Sequence, residues 1–473
     1  MKKLEEKNNL IKVTGLMVLI TVLLTWVIPQ GMYQGSTVNV TEITRVGIFD
    51  FFTYGLLGVY YFTVLVTFLF VLGAFYQVLS RCKGYQALTD GLAKFFKGKE
   101  IVFALVVSFI IAAISAVTNE YIVLISVIPF IITIANKMKM DKISAFVITF
   151  GSLLVGILGS VYSAKIVGVN TQYFGTKIDE LLWPRLVYFF VSYVCFNLFT
   201  VLHIRKEKKS KKNEVVVDLF EAKETNVKSK SKAWSIALIF GLFAIITLLA
   251  YFPWANVLKA EWPVNALESI KNFKVFDSTI FAYIFGEVQA FGQWDIFGVQ
   301  VTMLVAILVI KIVDRMSLDE LLTSFGEGFK KVSKLAIILL LCYMVLEFAV
   351  MYPVLPTIVD WFMGLIKGTS TKVGLLLSTI PSTFTSLFTV EYQYTLSLIH
   401  KAFTTTYESQ LPAVGFMTQS TFGLASLFSP ASAMLFVGLS YLGISYKEWM
   451  KYIWKFLLIM FTVLIIILII IAK

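Results

Sequence analysis

Apolar runs long enough to cross a lipid bilayer constrain the fold of this chain more than any other feature. About 20 consecutive apolar residues make one helical crossing. Hydrophobic residues form 58% of the 473-residue chain and charged residues 15%, so a soluble fold could not bury the apolar surface. The sequence therefore predicts an all-α polytopic protein of the cell membrane with about nine full spans. These lie near 11–30, 59–81, 143–169, 183–204, 233–252, 296–314, 333–352, 412–440 and 452–472.

Two further apolar regions, 101–137 and 372–406, are each interrupted by a polar heptapeptide. Residues 115–121 read S-A-V-T-N-E-Y and residues 386–392 read S-L-F-T-V-E-Y, so both follow the pattern Ser-x-x-Thr-x-Glu-Tyr. Each half of these regions has about 16 residues, which is short for a full crossing. A chain that enters the membrane, turns at a polar tip and leaves again fits this length, provided that the tip is buried in protein or lines a wet cavity. We therefore predict two re-entrant helical hairpins.

Lysine and arginine residues predict the orientation of the chain. The segment 205–232 carries ten Lys and Arg against five acidic residues, whereas the loop 253–295 carries three Lys against five acidic residues. Cytoplasmic loops are enriched in Lys and Arg. We therefore expect a cytoplasmic N-terminus, a cytoplasmic 205–232, an external 253–295 and, after nine spans, an external C-terminus. High charge and low hydrophobicity also predict that 205–232 is mostly disordered.

The second half of the chain repeats the first. The heptapeptides are 271 positions apart (386 − 115 = 271), and the same offset aligns 62–81 with 333–352. Five spans precede the second unit, so the two units are predicted to be antiparallel. Inverted repeats with matching broken helices are typical of secondary transporters, whose site lies at the repeat interface. The predicted division is a first unit 1–204 with hairpin 101–137, a basic cytoplasmic linker 205–232, a connecting span and external loop 233–295, and a second unit 296–473 with hairpin 372–406.

Each unit offers a hairpin tip and a second polar break in the long span that follows. Breaks free backbone carbonyls that can hold Na+, half-helix N-termini attract carboxylates, and intramembrane carboxylates can carry protons or hold an ammonium group. The candidate substrate and ion ligands are Ser115, Thr118, Asn119, Glu120, Gly159, Ser160, Ser163, Lys165, Ser386, Thr389, Glu391, Ser429, Pro430 and Ser432. The candidate Na+ ligands among them are Thr118, Asn119, Gly159, Ser160, Thr389 and Ser429.

Several of these polar residues also have a structural interpretation. Glu120 and Glu391 could cap or pair locally, although their equivalent positions at two tips favour a functional role. Lys165 could anchor a substrate carboxylate or merely neutralise Glu120. Glu347 is expected to form a structural ion pair, because the equivalent position holds Tyr76. Glycine and serine in membrane helices often serve close packing alone.

Residue types and their placement exclude several other functions. Cys82, Cys195 and Cys342 lie far apart, as do His203 and His400, so no disulfide framework, metal site or catalytic constellation is expected. We therefore expect no enzyme activity and no cofactor, only a coupling ion, Na+ or H+. The net charge of +12 comes from basic residues in loops between apolar runs, so nucleic-acid binding is not expected. Inverted hairpins also differ from the continuous pore ring of a channel.

The sequence resembles the C4-dicarboxylate anaerobic carrier-like family of the ion transporter superfamily, which includes basic amino acid antiporters of the YfcC type. The resemblance is carried by L-L-T-W-V-I-P-Q-G (23–31), T-N-E-Y-I-V-L-I-S-V-I-P-F-I-I-T-I-A-N-K-M-K-M-D (118–141), G-S-L-L-V-G-I-L-G-S (151–160), F-S-P-A-S-A-M-L-F-V-G-L (428–439) and G-I-S-Y-K-E-W-M-K-Y-I-W-K-F (443–456). It implies a scaffold domain, a transport domain bearing both hairpins, elevator-like alternating access and a homodimer. The chain departs from its relatives at 163–165, where they usually have Asn-Pro, and at 385–387, where they usually have glycine.

These patterns predict a secondary active transporter of small organic ions. Two carboxylates and one lysine in the expected pocket suit a zwitterionic or cationic amino acid that is exchanged or coupled to an ion. The alternative is a C4-dicarboxylate or another carboxylate moved with Na+ or H+. In that case Glu120 and Glu391 would carry the coupling ion, and Lys165 would anchor the substrate carboxylate.

Overall fold

The computed structural model describes residues 9–35, 37–209, 215–220 and 231–472, and helices dominate it. A π-helical turn, Val147–Gly151, and a 3-10 turn, Glu408–Gln410, supplement the regular elements. The helices are α1 Asn9–Val27, α2 Ile48–Arg81, α3 Lys83–Phe95, α4 Glu100–Thr118, α5 Tyr121–Ile125, α6 Ile128–Lys137, α7 Lys142–Phe146, α8 Ser152–Leu158, α9 Val167–Phe174, α10 Leu182–Lys209, α11 Ala233–Tyr251, α12 Trp254–Val257, α13 Trp262–Lys271, α14 Ile280–Phe285, α15 Ile296–Asp314, α16 Leu318–Met351, α17 Leu355–Ile366, α18 Thr371–Leu377, α19 Thr379–Ser386, α20 Tyr392–Thr406, α21 Leu411–Ser426, α22 Ala433–Leu442 and α23 Tyr446–Ile471.

Eight helices within the described ranges are long and apolar enough to cross a membrane. The predicted spans 143–169 and 412–440 are not among them, because each is broken in the middle. In the first, α8 ends at Leu158 and α9 begins at Val167; in the second, α21 ends at Ser426 and α22 begins at Ala433. The eight are α1, α2, α4, α10, α11, α15, α16 and α23. They include α4, whose 19 residues exceed the length expected for a hairpin arm.

The two longest helices, α2 and α16, have 34 residues each and pack antiparallel. At one end Arg81 forms a 2.9 Å ion pair with Glu327, and toward the other the rings of Phe51 and Phe348 stack with centroids 5.8 Å apart. Between these points the backbones touch, since a Cβ atom on Gly73 would lie 2.7 Å from the carbonyl oxygen of α16 at position 328. Glycine on both helices allows this close crossing.

Hairpin 1 (α4, α5 and α6) and hairpin 2 (α18, α19 and α20) both return to the side from which they start. The end of hairpin 1 comes back to α3, where Lys137 Nζ lies 2.7 Å from Asp90. Just beyond the end of hairpin 2, the Tyr407 hydroxyl lies 2.9 Å from Ser378 Oγ in the first arm. The helices of the two hairpin segments extend over 100–137 and 371–406.

Two local features differ from the sequence-based expectations. The strands β1 (Gly31–Gln34) and β2 (Thr37–Val40) pair antiparallel, so the described chain is not wholly helical. Within the predicted linker, α10 continues to Lys209, and residues 215–220 are docked on the protein rather than disordered. This V-V-V-D-L-F stretch is the apolar part of a basic segment, which explains its burial. Residues 210–214 and 221–230 of the linker lie outside the described residues.

Candidate functional site

A cavity of about 430 Å³ lies between the two hairpin tips. Its volume is within the range of small-molecule sites, which is about 300–1,000 Å³. Both tips and both helix breaks contribute to its wall, together with the ends of α11 and α15. The lining residues are Leu65, 119–123, Leu154, Ile157, 165–166, Val169, Tyr251, 294–296, 390–393, Phe422, Ser426 and 432–434.

Five of the predicted ligands line the cavity, namely Asn119, Glu120, Lys165, Glu391 and Ser432. The others do not line it and make contacts within the protein. The predicted set therefore divides into residues that face the cavity and residues that hold the backbone around it.

The tip of hairpin 1 turns at Asn119, which has the left-handed backbone conformation (φ 52°) that asparagine tolerates better than most residues. Its buried amide donates hydrogen bonds to the carbonyl of Ser115 at 2.8 Å and to Oγ of Ser160 at 2.9 Å. Beside it, the N–H of Val161 donates to the carbonyl of Ala116 at 2.8 Å. These bonds attach the first tip to the first helix break.

The hydroxyl groups of hairpin 1 are used within the protein. Ser115 Oγ donates to the carbonyl of Leu153 in α8 at 2.8 Å, which joins the first arm to the broken helix. Thr118 Oγ1 donates to the carbonyl of Ile114 at 2.8 Å and accepts the N–H of Glu120 at 3.1 Å. Both side chains thus shape the tip without lining the cavity.

The first helix break is formed by close packing and a serine turn. A Cβ atom on Gly159 would lie 2.7 Å from the Cα of Phe189, so α10 passes directly over this glycine. Ser163 Oγ accepts the N–H groups of Lys165 and Ile166 at 3.1 and 3.2 Å, within the turn that precedes α9. The break therefore aims the N-terminus of α9 at the cavity.

Hairpin 2 is likewise hydrogen-bonded to the second helix break, between α21 and α22. Ser429 Oγ donates to the carbonyl of Leu387 at 2.7 Å, and Ser432 Oγ donates to the carbonyl of Ser426 at 2.7 Å. Leu387 and Ala116 are 271 positions apart (387 − 116 = 271), so equivalent tip carbonyls accept a bond from each break.

The remaining predicted ligands of the second unit are also engaged locally. Ser386 Oγ donates to the carbonyl of Ser382 at 2.8 Å. Thr389 Oγ1 lies 2.5 Å from Oγ1 of Thr395, at the start of the return arm. Pro430 interrupts the helix between α21 and α22, where it supplies no N–H group.

Glu120 and Lys165 form an ion pair on the cavity wall, with 2.7 Å between Oε2 and Nζ. The side chains are 23% and 45% exposed, so solvent screens the pair and it contributes little to stability. Lys165 Nζ also lies 5.5 Å from the centre of the Tyr121 ring. A partly exposed pair of this kind can open to exchange partners with a ligand.

Glu391 has a different environment from Glu120. Its Oε1 atom accepts hydrogen bonds from the hydroxyls of Tyr343 at 2.8 Å and Tyr121 at 3.3 Å. Within the described part of the chain Glu391 forms no ion pair. The carboxylate therefore joins both hairpins and α16 through neutral hydroxyl donors and has no cationic partner among the described residues.

The sequence did not single out the aromatic and amide residues that organise the site. Tyr121 and Tyr343 bind Glu391, and the buried Tyr392 hydroxyl donates to Asn170 Oδ1 of α9. Gln419 Nε2 of α21 donates to the carbonyl of Ser160 at 3.2 Å. Among these residues, only Tyr121 and Tyr392 were marked in the sequence, because each ends one of the two heptapeptides.

Charge in the cavity is unbalanced. Three carboxylates (Glu120, Asp295 and Glu391) face one ammonium group (Lys165), a net charge of −2. Asp295 caps α15 by accepting two N–H groups at 3.0 and 3.3 Å. The N-termini of α9 and α22 open into the same cavity and favour a negative group on that side. The arrangement therefore suits a ligand with a cationic and an anionic end.

The candidate Na+ ligands do not form one cluster of free oxygens. Asn119 and Ser160 bond each other in the first unit, and Thr389 and Ser429 bond their neighbours in the second. Among the residues that the structure describes, no group of three or more His, Cys, Asp or Glu side chains could hold a metal ion. Na+ would therefore rely on backbone carbonyls and on hydroxyl lone pairs near the tips.

The chain matches a family model described as DcuC, C4-dicarboxylate anaerobic carrier, over residues 8–473. MtrF of Neisseria gonorrhoeae, described as illuminating a class of antimetabolite efflux pumps, is similar in structure, with 10% identity, a TM-score of 0.40 and 98% of this chain and 94% of that chain covered. The YdaH transporter of Alcanivorax borkumensis gives 13% identity, a TM-score of 0.40 and coverage of 98% and 97%. No curated protein sequence matches the chain.

Proposed function

The chain belongs to the C4-dicarboxylate anaerobic carrier family, and from this premise we propose that it is a secondary active transporter of a cationic or zwitterionic amino acid. Its family is one of multi-pass membrane transporters for small molecules, not of enzymes. The substrate assignment rests on the site rather than on the family description.

Glu391 carries this proposal. It faces the cavity, and its partners are two tyrosine hydroxyls, so a substrate ammonium or guanidinium group would supply the cation that it lacks. Charge-assisted hydrogen bonds of this kind are about twice as strong as neutral ones. The substrate carboxylate would lie toward Lys165 and the N-termini of α9 and α22, where positive charge is concentrated.

A C4-dicarboxylate is the second candidate, favoured by the description of the family. One carboxylate of such a substrate could bind Lys165 after Lys165 leaves Glu120. The net negative charge of the cavity opposes this substrate unless Glu120 and Glu391 are protonated or bind Na+. Dicarboxylate transport would therefore require coupling to H+ or Na+.

We extend the proposal to an inverted repeat that moves as an elevator. Matching helices pair antiparallel: besides α2 and α16, α10 pairs with α23, since Tyr188 donates to the Met460 carbonyl at 3.3 Å while the His203 and Tyr452 rings lie 5.5 Å apart. The long helices would form the scaffold, and the hairpins would belong to the moving domain. Two copies would form a homodimer, with a cytoplasmic N-terminus and an external C-terminus. The cavity would then open outward, since Tyr251 and Asp295 flank the external loop.

Thermal unfolding of purified protein with arginine, ornithine, succinate and fumarate tests the substrate assignment. A ligand at 100 times its Kd stabilises the folded state by about 2.7 kcal/mol. We expect an amino acid to raise the unfolding midpoint, Glu391→Gln to abolish the rise, and the exposed Glu408→Gln to preserve it. A rise with dicarboxylates alone, dependent on Na+ or low pH, would contradict the amino acid assignment.

A further inference from the structure

Glu347 in α16 is a buried acidic residue that has no partner among the residues that the structure describes. It is 6% exposed, and within the described chain its Oε1 atom has no hydrogen bond and the side chain forms no ion pair. The expectation of a structural ion pair is therefore wrong for the described residues. Nearly all buried polar groups in proteins are satisfied, and an unpaired carboxylate inside a membrane is costly.

The position in the first unit that corresponds to Glu347 carries a hydrogen-bond donor, the hydroxyl of Tyr76. Tyr76 and Glu347 are 271 positions apart (347 − 76 = 271), the offset that also relates Glu120 to Glu391. The Tyr76 hydroxyl donates a 2.6 Å hydrogen bond to the carbonyl of Ser126, in the return arm of hairpin 1. At this position α2 thus presents a donor to its hairpin.

The two return arms share a serine-to-carbonyl hydrogen bond at this offset but differ in helix continuity, since Ser126 lies in the turn between α5 and α6 and Ser397 lies within the continuous α20. Ser126 Oγ donates to the carbonyl of Val123 at 2.5 Å, and Ser397 Oγ donates to the carbonyl of Tyr394 at 2.8 Å. Both members of each pair are related by the same offset, since 397 − 126 and 394 − 123 equal 271. A carboxylate can only accept a hydrogen bond, whereas a carboxylic acid can donate one as Tyr76 does.

The surroundings of Glu347 connect it to the cavity and offer it no cation. One helical turn earlier, Tyr343 donates to Glu391. Tyr394 of hairpin 2 interacts electrostatically with both Glu347 and Glu391. The ionisable groups that face this part of α16 are Asp50 and Tyr54 on α2, Cys342 and Tyr343 on α16 itself, Tyr352 at its C-terminal end, and Glu391 and Tyr394 on hairpin 2. α1 and α22, which also pack on α16, carry only Lys12 and Tyr441.

We propose that Glu347 is the proton-binding residue that couples transport to H+, an inference that rests on the proposed transport function. The protonated acid can donate a hydrogen bond, as the Tyr76 hydroxyl does at the related position of α2. Loss of the proton leaves a second carboxylate one helical turn from Tyr343, through which α16 binds Glu391, and repulsion between the two carboxylates favours separation of hairpin 2 from α16. The proton comes from water on one side of the membrane and returns to water on the other, so no further reactant is needed.

Infrared difference spectroscopy during a pH titration of the substrate-free protein tests the protonation directly. We expect the carbonyl stretch of a protonated carboxyl group at neutral pH, lost in Glu347→Gln and retained in Glu327→Gln, a matched change in the same helix. Glu347→Asp should shift the frequency of this band, and this shift is the readout if Glu347→Gln does not fold. An unchanged band in Glu347→Gln, or no band in the wild type, would overturn the proposal.

Transport in proteoliposomes separates this inference from the proposed function. With labelled arginine we expect a pH gradient to increase wild-type accumulation several-fold, and Glu347→Gln to lose that increase while it still exchanges arginine. A gradient effect that persists in Glu347→Gln would refute the role of Glu347. If the wild type transports no amino acid, the amino acid assignment fails, while the infrared result still decides the protonation of Glu347.

Discussion

The crossing of α2 and α16 gives a quantitative prediction for the proposed scaffold. Gly328→Ala would place a methyl group against the backbone of α2, where it would overlap the carbonyl group of Gly73. Backbone atoms cannot move aside as a flexible side chain can, so overpacking should cost about 1–3 kcal/mol. Gly326→Ala in the same helix is the matched control, because no atom lies within 4 Å of its Cβ position.

Both substitutions gain the same helix propensity, about 1 kcal/mol relative to glycine. The difference between them therefore isolates the overpacking term. Thermal unfolding in one detergent should give a lower midpoint for Gly328→Ala than for the wild type, and an unchanged or higher midpoint for Gly326→Ala. Equal midpoints for the two variants would refute the close approach of the two backbones at this crossing.

Three further predictions follow from individual contacts. Lys165→Met should change the unfolding midpoint little, because its pair with Glu120 is exposed to solvent, but should weaken substrate binding at least tenfold in a titration with the preferred ligand. Phe220→Ala should remove the stacking of that ring on Tyr76 and increase proteolytic cleavage within 205–232. Burial raises the pKa of Asp141, but hydrogen bonds from His203 and Ser144 outweigh it and leave the pKa below its usual value. Asp141 therefore stabilises the fold above about pH 4, and this stabilisation should fall away as the pH drops through the lowered pKa; Asp141→Asn should flatten that part of the stability profile.

The hairpins and helix breaks could be predicted from the sequence because polar residues interrupt apolar runs there. A carboxylate such as Glu120 or a proline such as Pro430 is costly facing lipid, so its position marks a tip or a break. The two-stranded sheet was missed because each strand has four residues, too few for a periodic pattern.

The partners within the site could not be predicted in this way. Tyr121 and Glu391 are 270 positions apart, and their contact exists only because the two tips meet in space. Glu347 was expected to be paired, since an acid in an apolar run usually is, and nothing in the sequence reveals that α16 offers it no cation. The burial of 215–220 could not be predicted, because the charged residues around this stretch dominate the average hydrophobicity of the linker.

Uptake by proteoliposomes measures which substrate the cavity binds and carries. Vesicles containing the protein and loaded with unlabelled ornithine would be given labelled arginine or labelled succinate, alongside vesicles with Glu391→Gln and with Glu408→Gln. We expect arginine uptake by the wild type and by Glu408→Gln, at least tenfold less arginine uptake by Glu391→Gln, and no succinate uptake. Succinate uptake that needs Na+ or a pH gradient, with no arginine uptake, would contradict the claim that Glu391 holds the cationic end of an amino acid.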